Sequence, residues 1–569
     1  MKRSLIFSAV LGFSFSIGWT AEPDLGNDEQ RQSGKQLYDK YCAQCHGIEG
    51  DGLGEAAPYL KPKPRDFTEG KYKVRSTPNG TLPTDEDLER IIRDGMPYTG
   101  MPPWPASEIS DTELQNIIYY LKTFYPGFSD ADELAEPIEI PSAPSLSEES
   151  AQRGAEVYVA SGCDRCHGDE GRGDGQSGPT LADDWGFHIR PADFTMPWTF
   201  RGGSSREDIY RTLMTGFNGT PMPSFEDEGA LAPDDRWPLV DYIYSRSATR
   251  EANYANLLVA VEARGEIDPA QGPEQFEHAP LARFPVVGQI MEPGRDFYPS
   301  ATAVDVRAIY NNNSIGLLVQ WNDMKAETTG RNSPALEVPP FDPEAEMDLE
   351  TIRQEQPDPF GGAAADPFAA FTAGQTETAG TEGTTRQTEF SDAVAIQFPS
   401  ELTTGPLKPY FIFGDGSRSV DLWLVDLADG QPQMFVGTGS DSVEPARLEP
   451  FEAVSNYEDG RWSVIFKRRR VVSGHISFEQ AQFVPIAFSV WDGFNNERGN
   501  KRGLTSWFHI YLEPLDKPSP IGPMFQYALA ILAIEAILIF SLRRKHSRSR
   551  NEKVEDLHGP RPETGVHTT

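Results

Sequence analysis

The 569-residue chain has four cysteines, and all of them lie in two short stretches: YCAQCHGIEGDGLG from Tyr41 and GCDRCHGDEGRGDG from Gly162. In each stretch two residues separate a pair of cysteines and a histidine follows at once, giving Cys42, Cys45, His46 and Cys163, Cys166, His167. Thiols at this spacing can add to the two vinyl groups of a haem while the adjoining imidazole reaches its iron. The competing chemistry is one zinc ion held by two C-x-x-C pairs. It gives no role to the histidine that follows both pairs. The motifs therefore predict two covalent haem c groups and no disulfide, although an export compartment would permit one.

A sixth iron ligand must come from elsewhere, and methionine is the usual one where the task is electron transfer. Met96 and Met101 are available after the first motif, Met214 and Met222 after the second. KPRDFT matches RPADFT, DEDLERIIRDG matches REDIYRTLMTG, and GMPYTGMPPW then lies over GFNGTPMPSF. In that overlay Met101 faces Met222, Met96 faces Phe217 and Met214 faces Arg93. The separations agree, since 101 − 46 and 222 − 167 both give 55. Met101 and Met222 are the expected axial ligands. Histidine or water is the alternative, with His188 the nearby competitor in the second copy.

Small helical modules must position these groups. SGKQLYDKY and RGAEVYVASG precede the cysteines with apolar residues at helical spacing. SDTELQNIIYYLKTFYP opens on Ser110 and Asp111 as capping residues, with Glu113 placed for a capping box. Leu114, Ile117, Ile118 and Leu121 form its apolar face. APDDRWPLVDYIYSRS plays the same part in the second copy. Residues 126–149, Pro-rich and acidic, read as a linker. From about residue 255 the texture changes to strand-like runs separated by turn residues, with YNNNS as a hairpin signal, which predicts an all-β sandwich. Residues 326–388 are rich in Pro, Glu, Thr, Ala and Gly and are expected to be a disordered insertion.

Both ends carry address signals. MKRSLIFSAVLGFSFSIGWTAEP has the form of a secretory signal, cleaved after Ala21 or Gly18. Residues 522–542 are long and apolar enough for one membrane crossing, and RRKHSRSR follows, so residues 543–569 are expected in the cytoplasm and the body in a bacterial periplasm or its equivalent. Glu535 within the span would face a partner helix. The net charge of −35 leaves no basic footprint for nucleic acid.

Residues 30–125 and 150–247 resemble class I c-type cytochrome domains: the helix, C-x-x-C-H, late Met-Pro and final aromatic helix come in that order. Residues 255–515 resemble the haem b subunit of ethylbenzene dehydrogenase and its relatives, the gamma subunits of periplasmic molybdenum enzymes of the dimethyl sulfoxide reductase group. QWND, SDAVAIQFP, PYFIFGD, VDLWLVD and VPIAFSVWDGFNNERGNKRGLTSW carry that likeness. It implies a β-sandwich holding haem b between a Met and a Lys. Lys501 stands at the Lys position, while Phe413 stands where the Met is expected; Met434, Met291 or a histidine such as His475 could replace it. The implied partners are a molybdopterin catalytic subunit and an iron–sulfur subunit, besides other cytochromes or membrane electron carriers.

Two His/Met haems and an anchor point to a membrane-held electron-transfer subunit. Two other readings stay open: a dihaem redox enzyme with an open iron, or cytochrome modules fused to a haem-free docking domain.

Overall fold

The computed structural model describes residues 23–226, 231–288, 300–340, 342–347, 389–402, 407–440, 442–446, 451–515 and 521–555. The signal segment, Met291, most of the biased insertion and the end of the tail lie outside these residues. The described chain forms two compact units, residues 1–513 and 514–569.

The first unit begins with two helical modules of the same plan. Helices Asp28–Tyr41, Asp85–Asp94 and Asp111–Leu121 build the first; Glu148–Ala160, Arg206–Thr215 and Pro233–Ser245 build the second. Capping boxes start four of the six, at Asn27, Thr84, Ser110 and Ser205, where a side-chain oxygen satisfies an orphan N–H of the first turn. Ser110 is the cap and Asp111 the first helical residue. Leu114, Ile117, Ile118 and Leu121 are buried as the apolar face required. In each module the first and last helices cross at a glycine. A Cβ on Gly34 would run into the carbonyl oxygen of Asn116, and one on Gly154 into that of Pro238.

Residues 126–149 are packed rather than free. The Ile138 N–H donates to Ser76 O at 2.8 Å, tying the segment to the first module. Ile138 and Ile140 pack on the core of the second.

Fourteen strands follow among the described residues, joined in one sheet. Its main path runs Phe451–Glu458, Arg461–Arg469, Ser314–Asn322, Ala303–Tyr310, Leu258–Glu262, Phe508–Leu512, Phe483–Trp491, Ala393–Pro399, Val420–Asp426, Pro432–Gly437, Val443–Pro445. The YNNNS hairpin is formed, with Tyr310 opposite Ile315. Two separate sheets were the expectation; the path is continuous because one strand turns the corner. Phe483–Ile486 pair with the strand Phe508–Leu512, and Ala487–Trp491 pair with Ala393–Pro399. The sheet folds over so that strands far apart on the path touch: the rings of Trp423 and Phe451 lie 5.5 Å apart in the main core. A strand that switches sheets is how such corners are made.

The insertion starts later than composition indicates. Residues 326–340 belong to the folded domain, for Asn332 is buried and donates from Nδ2 to Ser391 O and Glu497 O at 2.7 and 2.9 Å. Local polarity misleads there because the partners are more than fifty residues away.

The second unit contains the helix Ile521–Glu555. Residues 521–547 are long and apolar enough to cross a membrane, with mean hydropathy 2.0 over their most apolar stretch.

Candidate functional site

Each C-x-x-C-H begins just past the end of the module's first helix, Asp28–Tyr41 or Glu148–Ala160, and closes in one further helical turn, Ala43–His46 or Asp164–His167. The Cys42 N–H donates to Tyr38 O at 2.8 Å, and the His46 N–H to Cys42 O at 2.9 Å. Gly47 and Gly168 then take φ of 78° and 80°, which a side chain would resist. The hydroxyls of Tyr38 and Tyr158 donate to the carbonyls of these glycines, at 2.8 and 2.5 Å. All four thiols are unpaired. Burial pushes the Cys42 and Cys163 thiols up to about 12.

The two histidines are held alike. His46 Nδ1–H donates to Arg65 O and His167 Nδ1–H to Ala192 O, both at 3.0 Å. A carbonyl only accepts, so the proton sits on Nδ1 and Nε2 keeps its lone pair. Each ring stacks on a phenylalanine, His46 on Phe67 and His167 on Phe194, with centroids 4.5 Å apart. Burial lowers the pKa of both imidazoles, which favours the neutral form a metal needs. The DFT boxes that aligned the copies in sequence thus supply both the orienting carbonyl and the stacking ring. Sequence reasoning used them only as markers; their place in both copies was the available signal.

The methionine loops repeat bond for bond. Met96 N–H donates to Met101 O at 3.1 Å, and Phe217 N–H to Met222 O at 3.2 Å. The Thr99 hydroxyl donates to Met96 O and accepts from Met101 N; the Thr220 hydroxyl does the same for Phe217 O and Met222 N. Met101 therefore occupies the place of Met222, and Met96 that of Phe217. Met214 is buried in the core of its module at 1% exposure.

Cys42, Cys45, His46 and Met101 line a cavity of about 1430 Å³ that Cys163, Cys166, His167 and Met222 line too, so the two clefts run together. Thiol pairs, neutral imidazoles and thioether sulfurs around one apolar cleft fit covalent haem. Lys73 and Arg201 also line it. Burial pushes Lys73 down to about 8 and holds Arg201 below its ordinary range, so both sites would gain from the anionic side groups of a haem.

A loop missed in the sequence joins the modules. Trp185, from the second, lies against the Arg65 guanidinium of the first at 4.1 Å, and its Nε1–H donates to Glu69 at 3.0 Å. Arg75, 1% exposed, donates to Thr215 O at 2.7 Å across the same junction. The Lys71–Asp184 pair is about half exposed on both sides and contributes little beside these contacts.

The residues at the haem b position do not fit that group. Phe413 is fully buried, offers no donor atom, and carries the Arg502 guanidinium 3.6 Å from its ring centroid. Arg502, itself 2% exposed, occupies the place beside Phe413, whereas its neighbour Lys501 lines the cavity of the cytochrome modules. His475 is held by Asp421 at 3.0 Å, and Met434 is packed within its strand opposite Trp423.

The model of the family "cytochrome c oxidase, cbb3-type, subunit III" matches residues 29–121 and 149–243. A chain of Haloferax mediterranei named as a respiratory nitrate reductase haem subunit is 26% identical over 27% of this chain and 55% of its own length. The chlorate reductase subunit gamma of Ideonella dechloratans is 26% identical over 21% of this chain and 51% of its own. This chain thus spans about half the length of those two relatives. The cytochrome c subunit of Pseudomonas putida 4-cresol dehydrogenase is 30% identical over 22% of this chain and 85% of its own length. With both modules matched by one family model and most of that last subunit covered, the chain belongs to the c-type cytochrome electron-transfer subunits of redox enzymes, whose cofactor is haem c.

Proposed function

We propose that this chain is the membrane-anchored, periplasmic cytochrome subunit of a respiratory molybdopterin oxidoreductase and carries single electrons through two haems. Cys42 and Cys45 hold one haem, with His46 and Met101 on its iron; Cys163 and Cys166 hold the other, with His167 and Met222. The observation that carries this reading is the repetition of one complete donor set, down to the histidine's carbonyl and the methionine's threonine, around a shared cavity.

Bound haem supplies a one-electron iron couple. The protein's part is positional. The Arg65 and Ala192 carbonyls fix each imidazole's tautomer and orientation, as outer partners of metal-bound histidines do. The methionine loops, pinned by Thr99 and Thr220, present a thioether sulfur that raises the reduction potential. A histidine and a methionine on each iron would leave no position there for substrate, which favours transfer over catalysis.

The relatives named for nitrate and chlorate reductases support a substrate class of nitrate, nitrite, chlorate or similar oxyanions. The likeness of residues 255–515 to gamma subunits supports a molybdopterin subunit and an iron–sulfur subunit as partners. A net charge of −35 suits a basic docking face. The apolar helix supports the anchor. Phe413 and Arg502 favour a second reading of the β-domain itself, as a docking domain without haem b.

The test is isolation of the full chain from detergent-solubilised membranes. A molybdenum subunit and an iron–sulfur subunit should accompany it, with two haem c and no haem b per chain. Isolation alone, with turnover of a substrate by the single chain, would contradict the assignment.

A further inference from the structure

Three strand ends meet at one corner of the β-domain. Asp323 follows the strand Ser314–Asn322, Asp392 precedes Ala393–Pro399, and Asp492 follows Phe483–Trp491. All three are buried, and one carboxylate oxygen from each lies within 4.8 Å of the other two. A fourth carboxylate, Glu327, joins them at 2% exposure. Its N–H donates to Asp392 Oδ2 at 2.8 Å. Its Cβ stands beside Gly493, where an added Cβ would come within 3.0 Å of it. The Glu327 side chain is thereby held at the Asp492–Gly493 corner.

Donors among the described residues satisfy Asp392 and Asp492 but not the whole group. Asp392 accepts from Glu327 N, Trp462 Nε1 and Gly493 N, at 2.8, 3.0 and 2.9 Å. Asp492 accepts from Arg190 at 2.7 Å and from Asn495 N at 3.2 Å. Asp323 accepts one long bond from Lys325 N, at 3.4 Å. Glu327 Oε1 has the Lys325 ammonium at 2.8 Å, while Oε2 is buried with no hydrogen-bond donor among the described residues. Among the described residues the cations paired with these four carboxylates are Arg190 and Lys325, fewer than the carboxylates. Glu497 lies alongside, its carboxylate taken up by Asp492 N and Asn495 Nδ2.

Like charges packed out of water repel strongly. A cation among them would offset that repulsion. An oxygen-only donor set drawn from separate segments, with one buried oxygen lacking a donor, matches a hard divalent cation. Several protein carboxylates from separate segments suit calcium, which takes six to eight oxygens in flexible arrangements, better than magnesium, which keeps several waters.

We propose that Asp323, Glu327, Asp392 and Asp492 form a structural calcium site that fastens three strand ends and, through the Arg190–Asp492 bond, seats the second cytochrome module on the β-domain. Arg190 reaches it from the stretch beside the His167 anchor, since Ala192 supplies that anchor's carbonyl.

The test uses the full-length haem-loaded protein in detergent. After dialysis against metal-free buffer, elemental analysis should find one calcium per chain. A strong chelator should remove it and lower the melting temperature by several degrees, and added Ca2+ alone should restore both. Glu327→Gln should lose the bound calcium and the response to chelator. Absence of stoichiometric calcium in the wild type would by itself overturn the proposal; Glu327→Gln would then melt higher than wild type, because removing a repelling charge stabilises an empty cluster. Calcium kept in full by both Glu327→Gln and Asp392→Asn would overturn it as well, by placing the ion elsewhere. The wild-type measurement decides even if a variant fails to fold.

Discussion

Met101 and Met96 are five residues apart on one loop, and both line the cavity. Sequence separated them by laying one copy of the module on the other, and the hydrogen bonds of the two loops now follow the same overlay. The account expects Met101→Ala to lose the methionine–iron charge-transfer band of one haem. The potential of that haem should fall by roughly 0.1–0.3 V, part of the ~0.8 V that axial ligands command. Met96→Ala should leave band and potential in place. Potentiometric titration of both variants checks this; the reverse pattern would assign the ligand to Met96. The cysteines, histidines and methionines were legible as residue types at fixed spacing. The carbonyls of Arg65 and Ala192 were not, because every residue carries a carbonyl and only the fold selects which one faces an imidazole.

Among elements, the helix crossing is the tightest constraint in each module. A methyl group added at Gly154 meets backbone rather than a movable side chain. Gly154→Ala should therefore cost at least the ~1–3 kcal/mol of an overpacked core, read as a lower denaturant midpoint. A tolerated alanine would show that the helices are less closely packed. In the β-domain, His509 Nε2 accepts from the Lys408 ammonium at 3.0 Å. Burial, then the Lys408 charge, lowers the His509 pKa below its usual 6.5. The folded state then binds fewer protons than the unfolded state just below that value, so stability is lost as pH falls through it. Unfolding midpoints should drop more from pH 7 to pH 5 in wild type than in His509→Gln; equal slopes would contradict this. Strand runs and the YNNNS hairpin were readable from alternation and turn residues. The corner-turning strand, the parallel pairs around Leu258–Glu262 and the folded start of the insertion were not, since each is set by partners remote in sequence.

At the scale of the molecule, the two helical modules and the β-domain form one unit with a common cavity, which motif spacing alone could not reveal. Trp185 and Arg190 make the joins, and the repeat marks neither as a joining residue: one works by stacking on Arg65, the other, at the head of RPADFT, by pairing with Asp492. In the proposed function both irons would be closed by a histidine and a methionine, and the chain would conduct electrons without chemistry of its own. Electron paramagnetic resonance of the oxidised full-length protein, read with carbon monoxide binding by its reduced form, tests this most directly. Two low-spin centres with no carbon monoxide adduct are predicted. A high-spin centre that binds carbon monoxide would contradict the account and make one of the haems a site of catalysis.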